Sequence, residues 1–179
     1  DETTPTGFRV DGRRLTGRNL WLPGPGVAVD VQWQGQGDDA SVDAVFTRFL
    51  HRYVADCAAL GWPQPRCVWR AHRCASEGSL AATFAVTAPI DRLYAAVALA
   101  EAAVVCDAPA QRLAAARSAD DFAGDAALVA LIDAAAAAEV PLLWDDDFVS
   151  VGWGRFATTW PRHATPSDPA QVIVALQRA

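Results

Sequence analysis

Residues 141–161 read Pro141-Leu-Leu-Trp-Asp-Asp-Asp-Phe-Val-Ser-Val-Gly-Trp-Gly-Arg-Phe-Ala-Thr-Thr-Trp-Pro161. The stretch holds three of the seven tryptophans of the chain, a run of three aspartates, two glycines, and a proline at each end. Aromatic and β-branched residues favour strands, whereas aspartate, glycine and proline favour turns. We therefore predict two sheet strands around an acidic turn, and we expect the rest of the chain to cover one face of that sheet.

The length and composition of the chain indicate one globular domain. It has 179 residues, of which 52% are hydrophobic, and a chain of this size buries a core without disulfides or metals. We predict a single domain over residues 1–179, with residues 1–6 extended or disordered.

The charged residues exclude several classes of function. The formal net charge of −6 argues against a general nucleic-acid binder, which needs a basic surface to displace counterions from phosphates. All 15 basic residues are arginine. Without lysine, the chain has neither Schiff-base chemistry nor a phosphate-binding lysine. We expect no cofactor.

The cysteines and the apolar runs indicate the compartment. Cys57, Cys67, Cys74 and Cys106 fit no zinc-binding spacing, and reduced thiols are typical of a cytoplasmic protein. No apolar run reaches the roughly 18 residues that would span a bilayer, so we expect no membrane partner. The sequence thus predicts a cytoplasmic location.

Alternating apolar and polar residues predict the strands. Residues 27–33 alternate with period two, and residues 66–74 and 79–87 form a predicted hairpin. In the first hairpin strand, Arg66, Arg70 and His72 share the face opposite the core.

Apolar residues three or four positions apart predict the helices, whose main segments are 42–60, 91–106 and 122–139. Shorter helices are predicted at 109–116 and 170–177. The predicted fold class is α+β, with an antiparallel sheet of about five or six strands and the three main helices layered on it.

The first predicted helix has an apolar stripe and a polar face. Cys57 falls on the stripe and is predicted to be a small buried hydrophobic residue. The polar face is predicted to carry Arg48, His51, Arg52 and Asp56.

Two acidic features are candidates for chemistry. Glu101 shares a helical face with apolar residues and must find a partner, either a structural ion pair or capping bond, or a role in a site. Of the aspartates at 145–147, only Asp145 and Asp147 would share a face of a strand. An acidic turn is therefore favoured over a metal site at Asp145 and Asp147. The three histidines lack zinc-binding context.

The N-terminal part of the chain is its most basic segment, with arginines at positions 9, 13, 14 and 18. This pattern is typical of a solvated strand and loop. The alternative is a patch that faces an anion.

Three segments form a set in the order and spacing of a known family. They are Arg14-Leu-Thr-Gly-Arg-Asn-Leu-Trp21, Gly78-Ser-Leu-Ala-Ala-Thr-Phe-Ala-Val-Thr-Ala-Pro-Ile-Asp-Arg-Leu-Tyr94, and the segment 141–161. Together they resemble the N-terminal, non-ATP-binding domain of cyanophycin synthetase-like members of the Mur ligase family. The chain departs from that pattern at Arg18, where the family has proline, and it carries no Gly-Thr-Asn-Gly-Lys-Thr nucleotide loop.

The resemblance implies a noncatalytic substrate- or peptide-binding domain, or an accessory subunit, of an amide-forming system. The implied partners are a Mur-type ligase or an acidic peptide or amino-acid substrate, because guanidinium groups pair with carboxylates bidentately. The expected binding residues are Arg14, Arg18, Asn19, Arg66, Arg70, His72 and Glu101.

Two other functions stay open at this point. One is a hydrolase or transferase that uses Glu101 and the carboxylates at 145–147 as acid, base or metal ligands. The other is a structural protein that forms a homodimer through exposed tryptophans.

Overall fold

The computed structural model describes residues 8–16, 19–33, 39–73, 80–119, 126–145, 147–161, 164–166 and 168–177. The chain divides into two compact units, Asp1–Asp121 and Phe122–Ala179. Both units combine helices with an antiparallel sheet, so the predicted α+β class is confirmed.

The first unit is built on a four-stranded antiparallel sheet in the order β1-β2-β4-β3. Its strands are β1 (Phe8–Leu15), β2 (Gly26–Trp33), β3 (Cys67–Arg73) and β4 (Leu80–Thr87). The two central strands are β2 and β4, and their valines and alanines are buried on both faces of the sheet. The sequence predicted one buried face for this hairpin, and the structure buries Ala81, Thr83 and Ala85 on the second face as well.

Three helices complete the first unit: α1 (Asp39–Ala59), α2 (Leu93–Val105) and α3 (Pro109–Ser118). A 3-10 turn at Ile90–Arg92 leads directly into α2. The apolar stripe of α1 packs on one face of the sheet, where Phe46 and Phe49 both contact the ring of Phe84 at 5.3 Å between centroids. Helix α2 lies on the same face, beside β1 and β2.

The polar face predicted for α1 is only partly correct. Arg48 and His51 are exposed, and Cys57 is buried as predicted. Asp56, however, is only 2% exposed, because α3 packs on that side of α1 and brings the guanidinium of Arg112 onto its carboxylate.

Arg52 likewise lies inward rather than in solvent. Its guanidinium donates to the carbonyls of Ala103 and Val104 at 3.0 and 3.4 Å and pairs with Asp107. These carbonyls are the unpaired ones at the end of α2, where a cation is favourable. Burial, followed by repulsion from Arg112, lowers the pKa of Arg52 from its ordinary value.

The second unit contains α4 (Ala126–Ala137), β5 (Leu142–Trp144), β6 (Phe148–Val151), β7 (Thr158–Pro161) and α5 (Pro169–Gln177). The strands form a three-stranded antiparallel sheet in the order β5-β6-β7, and α4 packs on α5. The stretch 141–161 therefore makes three strands rather than two, because Gly152 and Gly154 have positive φ angles and turn the chain once more.

The sheet built from residues 141–161 is not the one on which α1 and α2 pack. The strands are divided between sheets of four and three, instead of the one sheet of five or six that the sequence suggested. Alternation identifies a strand and its buried face but does not specify its neighbours, so the sequence pattern could not separate the two sheets.

None of the helices in the described ranges combines the length and the apolar character that crossing a membrane would require.

Candidate binding surface

The face of the four-stranded sheet opposite α1 and α2 carries Arg9, Arg13 and Arg70, three of the arginines that the sequence singled out. Side chains paired across neighbouring strands point to the same side, so the strand register assigns each residue to a face. In one row of the sheet, Asp11, Asp30, Thr83 and Arg70 lie side by side; the next rows hold Arg9 and Arg13. We call this surface the arginine face. Its members are Arg9, Asp11, Arg13, Ala28, Asp30, Gln32, Val68, Arg70, Ala81, Thr83 and Ala85.

The arginines of this face stand on the two outer strands. Arg9 and Arg13 are on β1, Arg70 is on β3, and all three are exposed. Between them the central strands present small, buried side chains. These are Ala28 and Ala85, which are 0% exposed, Thr83, which is 3% exposed, and Ala81, which is 7% exposed. Three strand spacings separate β1 from β3, a distance of about 14 Å. The guanidiniums therefore border a floor of small side chains.

One of these guanidiniums is paired within the face. Arg13 forms an ion pair with Asp30, and the buried hydroxyl of Thr83 donates to the other oxygen of Asp30 at 2.5 Å. The side chains of Arg13 and Asp30 are 48% and 39% exposed. This pair balances the charge of Asp30, which would otherwise repel an anion at the centre of the face.

A loop at residues 19–25 lies against the arginine face; we call it the Trp21 loop. The side-chain oxygen of Asn19 accepts the N–H groups of Trp21 and Leu22 at 2.9 and 2.8 Å, and its amide donates to the carbonyl of Gly24 at 3.2 Å. Leu22 packs on Ala28 and Ala85. Asn19, predicted to be a binding residue, thus holds the loop in shape.

The Trp21 loop brings an indole ring to Arg70. The guanidinium carbon of Arg70 lies 5.3 Å from the centre of the Trp21 ring, within the range of a cation–π contact. The ring restrains one side of the guanidinium without using its N–H donors. Arg70 is thereby oriented while it stays exposed.

The other predicted basic residues lie in different places. Arg14 is on the helix-covered face, with its guanidinium 4.1 Å from the centre of the Tyr94 ring. Arg66 is exposed and precedes β3, where its N–H donates to the hydroxyl of Thr87 at 2.8 Å. Arg18 lies outside the described residues, and so does the side chain of His72, whose backbone pairs with Ala81.

Glu101 has a structural partner. One of its carboxylate oxygens accepts the N–H of Gly12 at 2.7 Å. Gly12 lies on β1, and a Cβ atom there would come within 2.7 Å of Val97 and 2.8 Å of Glu101. This hydrogen bond joins α2 to β1, and it places the carboxylate on the helix side of the sheet, away from the arginine face.

Asp145 and Asp147 belong to the turn between β5 and β6. Asp145 accepts the N–H groups of Asp147 and Phe148 at 2.9 and 2.8 Å, and its own N–H donates to the carbonyl of Phe148 at 3.0 Å. The Asp145 side chain therefore closes an acidic turn. Within the described residues, no three acidic, histidine or cysteine side chains are grouped as metal ligands would be.

Two aspects of this surface were not predicted from the sequence. Strand alternation in β1 separates Arg13 from Arg14, and applying it would have assigned Arg9 and Arg13 to one face and Arg14 to the other. Trp21 was not among the predicted binding residues. An aromatic residue that follows a basic segment was the signal available for it.

The chain matches no protein-family model, and a search of the curated proteins finds no relative.

Proposed function

We propose that this chain is a noncatalytic binding domain, an accessory part of an amide-forming system of the Mur ligase type, and that it holds an acidic peptide on the arginine face. The observation that carries the proposal is the exposed Arg70 guanidinium, stacked on Trp21 and facing the same side as Arg9 and Arg13. The similarity of segments 14–21, 78–94 and 141–161 to the N-terminal domain of cyanophycin synthetase-like proteins supports the choice of system.

The charges of the arginine face favour an anionic partner. Three arginines and two aspartates make the face net positive, although the whole chain has a formal charge of −6. Since Asp30 is paired with Arg13, the guanidiniums of Arg9 and Arg70 are the ones that an incoming carboxylate meets. A guanidinium binds a carboxylate through two parallel N–H bonds.

The shape of the face favours an extended chain over a compact ligand. Its arginines stand on outer strands about 14 Å apart, which is the length of about four residues of extended peptide. The floor between them consists of small side chains that are 0–7% exposed. An extended peptide with carboxylates on alternate or successive residues would reach both arginine-bearing strands.

The test is the affinity of a fluorescein-labelled hexa-aspartate peptide, measured by anisotropy at low salt. Replacing Arg66 and Arg70 together by alanine should weaken binding by about tenfold or more, because charge-assisted contacts are lost. Arg70→Ala alone should account for most of that loss. Binding should also weaken as salt is added, since the contacts are exposed.

Two controls make the result specific. Arg48→Ala removes an exposed arginine from α1, on the other side of the sheet, and should leave the affinity unchanged. A hexa-asparagine peptide of the same length should not bind. Equal affinity of the wild-type chain and the Arg66→Ala/Arg70→Ala variant would reject the proposal.

A second candidate function is self-association through the second unit. The sheet β5-β6-β7 exposes Leu143 (66%) and Phe148 (50%) on one face, and the turn after β6 exposes Trp153 (65%) and Phe156 (47%). Large exposed apolar side chains in one region are typical of an interaction surface. Light scattering across a concentration series tests this idea: Trp153→Ser should shift a dimer toward the monomer mass, and a wild-type chain that is monomeric throughout rejects it.

A further inference from the structure

The first unit contains a surface cavity of about 380 Å³ on the helix side of the sheet. Three segments line it: the connection after α1, the 3-10 turn that opens α2, and the end of α3. The lining residues are Leu60, Gly61, Trp62, Pro63, Pro89, Asp91, Arg92, Ala95, Ala116 and Arg117. Its volume lies at the lower end of the range of small-molecule sites.

The end of α1 fixes the backbone of Trp62, which lines this cavity. The N–H of Trp62 donates to the carbonyl of Cys57 at 2.9 Å, and the N–H of Gly61 donates to Ala58 at 3.1 Å. This pair of bonds is a Schellman motif, in which Gly61 takes a φ of 71° and reverses the chain. The motif holds Trp62 at a fixed place beside the cavity, where Pro63 and Pro89 add further rigid apolar surface.

Among the described residues that line the cavity, one positive charge has no acidic side chain opposite it. The carboxylate of Asp91 lies 3.3 Å from Nε of Arg92, so these two charges offset each other. Arg117 is exposed in the last turn of α3, and within the described ranges no acidic side chain pairs with it. A ligand with one negative charge would complement this arrangement.

We propose that this cavity binds a small organic monocarboxylate with an apolar or aromatic body. The carboxylate pairs with the fork of N–H groups on Arg117, and the body lies against Trp62, Pro63 and Pro89. The single unbalanced charge favours a monoanion over phosphate, and the apolar walls favour an organic acid over an inorganic ion. This site is independent of the arginine face, which lies on the other side of the sheet.

The experiment is a titration of the ¹⁵N-labelled chain with hippurate, followed by the indole N–H signals in NMR spectra. The indole N–H signal of Trp62 is identified as the one that is missing from the spectrum of Trp62→Phe. It should shift as hippurate is added, and the shift should saturate below about 10 mM hippurate, a range that includes weak specific binding. Arg117→Gln should raise the dissociation constant by about tenfold or more. Arg48→Gln is the matched control and should not change it.

Ligand controls separate this site from a general anion site. Hippuramide, which has the same body without the charge, and inorganic phosphate, which has charge without the body, should both bind more weakly than hippurate. Equal binding of phosphate and hippurate, an unchanged constant in Arg117→Gln, or no shift of the Trp62 signal would each overturn the proposal.

The two proposals fail separately. Arg66→Ala/Arg70→Ala should leave hippurate binding intact, and Arg117→Gln should leave hexa-aspartate binding intact. Loss of both activities in either variant would contradict the independence of the two sites.

Discussion

Arg112 and Asp56 form a bidentate ion pair in the interior of the first unit, with Nε 2.6 Å from Oδ2 and Nη2 3.1 Å from Oδ1. Both side chains are only 3% exposed. The remaining guanidinium nitrogen of Arg112 donates to the carbonyls of Cys106 and Asp107 at 3.0 and 2.8 Å. One arginine therefore ties α1, the end of α2 and α3 together.

Arg112→Ala should lower the free energy of unfolding of the first unit by about 3–5 kcal/mol, because it leaves the Asp56 carboxylate buried without a partner. Chemical denaturation followed by circular dichroism measures this. Arg117→Ala, an exposed site on the same helix, is the control and should cost less than about 0.5 kcal/mol. The double variant Asp56→Ala/Arg112→Ala should cost less than the sum of its single variants. Strict additivity would contradict the pairing.

Gly12→Ala should destabilise the first unit by about 1–3 kcal/mol, because the added methyl group overpacks the contact between β1 and α2. Its Cβ would lie 2.7 Å from Cγ1 of Val97 and 2.8 Å from the carboxylate of Glu101. Thermal unfolding measures the effect. Gly24→Ala, whose Cβ would meet no atom within 4 Å, provides a matched control. Adding Val97→Ala should recover part of the loss, and a neutral Gly12→Ala would show that α2 does not lie this close to β1.

Much of the fold could be predicted from the periodicity of the sequence. The apolar stripe of α1 places Val42, Phe49 and Tyr53 in the core, and the alternation of Val27, Val29 and Val31 identifies the buried face of β2. Such patterns are visible because each repeats within one element, and the whole element must bury one side.

Contacts between elements could not be predicted in the same way. A helical wheel places Asp56 away from the apolar stripe of α1, but it carries no information about α3, which covers that side and supplies Arg112. The arginine face has the same limit. Alternation assigns Arg70 to one face of β3. That Arg70 lies across the sheet from Arg13 follows from the strand order, in which β2 pairs with β4 and β3 is the outer strand.

The end of α4 shows why helix ends were less accurate than helix interiors. The N–H of Val140 donates to Ala135 at 2.9 Å and that of Glu139 to Ala136 at 3.2 Å, which is the same Schellman motif as at the end of α1. At the position where α1 has Gly61, α4 has Glu139, with a φ of 56°. Since glutamate is not a helix-stop signal, the sequence predicted that the helix continues to residue 139, two residues beyond its observed end at Ala137.

Glu139→Gly should therefore stabilise the second unit by about 1 kcal/mol, because glycine adopts a positive φ without the steric cost that a Cβ atom imposes. Glu139→Ala is the matched control, since it removes the charge but keeps the Cβ, and it should not stabilise. The reverse change at the end of α1, Gly61→Ala, should destabilise the first unit by a similar amount. Thermal unfolding of the three variants measures these effects, and a loss of stability in Glu139→Gly would contradict the left-handed conformation.

Two thiols of the first unit, those of Cys57 and Cys67, predict how stability depends on pH. Burial raises the pKa of Cys57 from its ordinary value of 9.0 to about 12, and burial raises that of Cys67 to about 11. The unfolded chain loses these protons near pH 9, while the folded chain keeps them to higher pH. Stability contributed by the two thiols is therefore complete below about pH 9 and is lost as the pH rises through the folded values.

The melting temperature of the wild-type chain should accordingly fall as the pH is raised from about 8 to about 11, and the midpoint should be followed by circular dichroism. Cys67→Ala should reduce the steepness of this fall, because one of the thiols with a raised pKa is gone. Cys106→Ala is the control, because the Cys106 thiol contacts the side chain of Gln111 and both Cys57 and Cys67 remain in this variant. Its melting temperature should fall with pH as steeply as that of the wild type. A Cys67→Ala slope equal to that of the wild type would show that folding does not raise the pKa of the Cys67 thiol, and it would contradict this prediction.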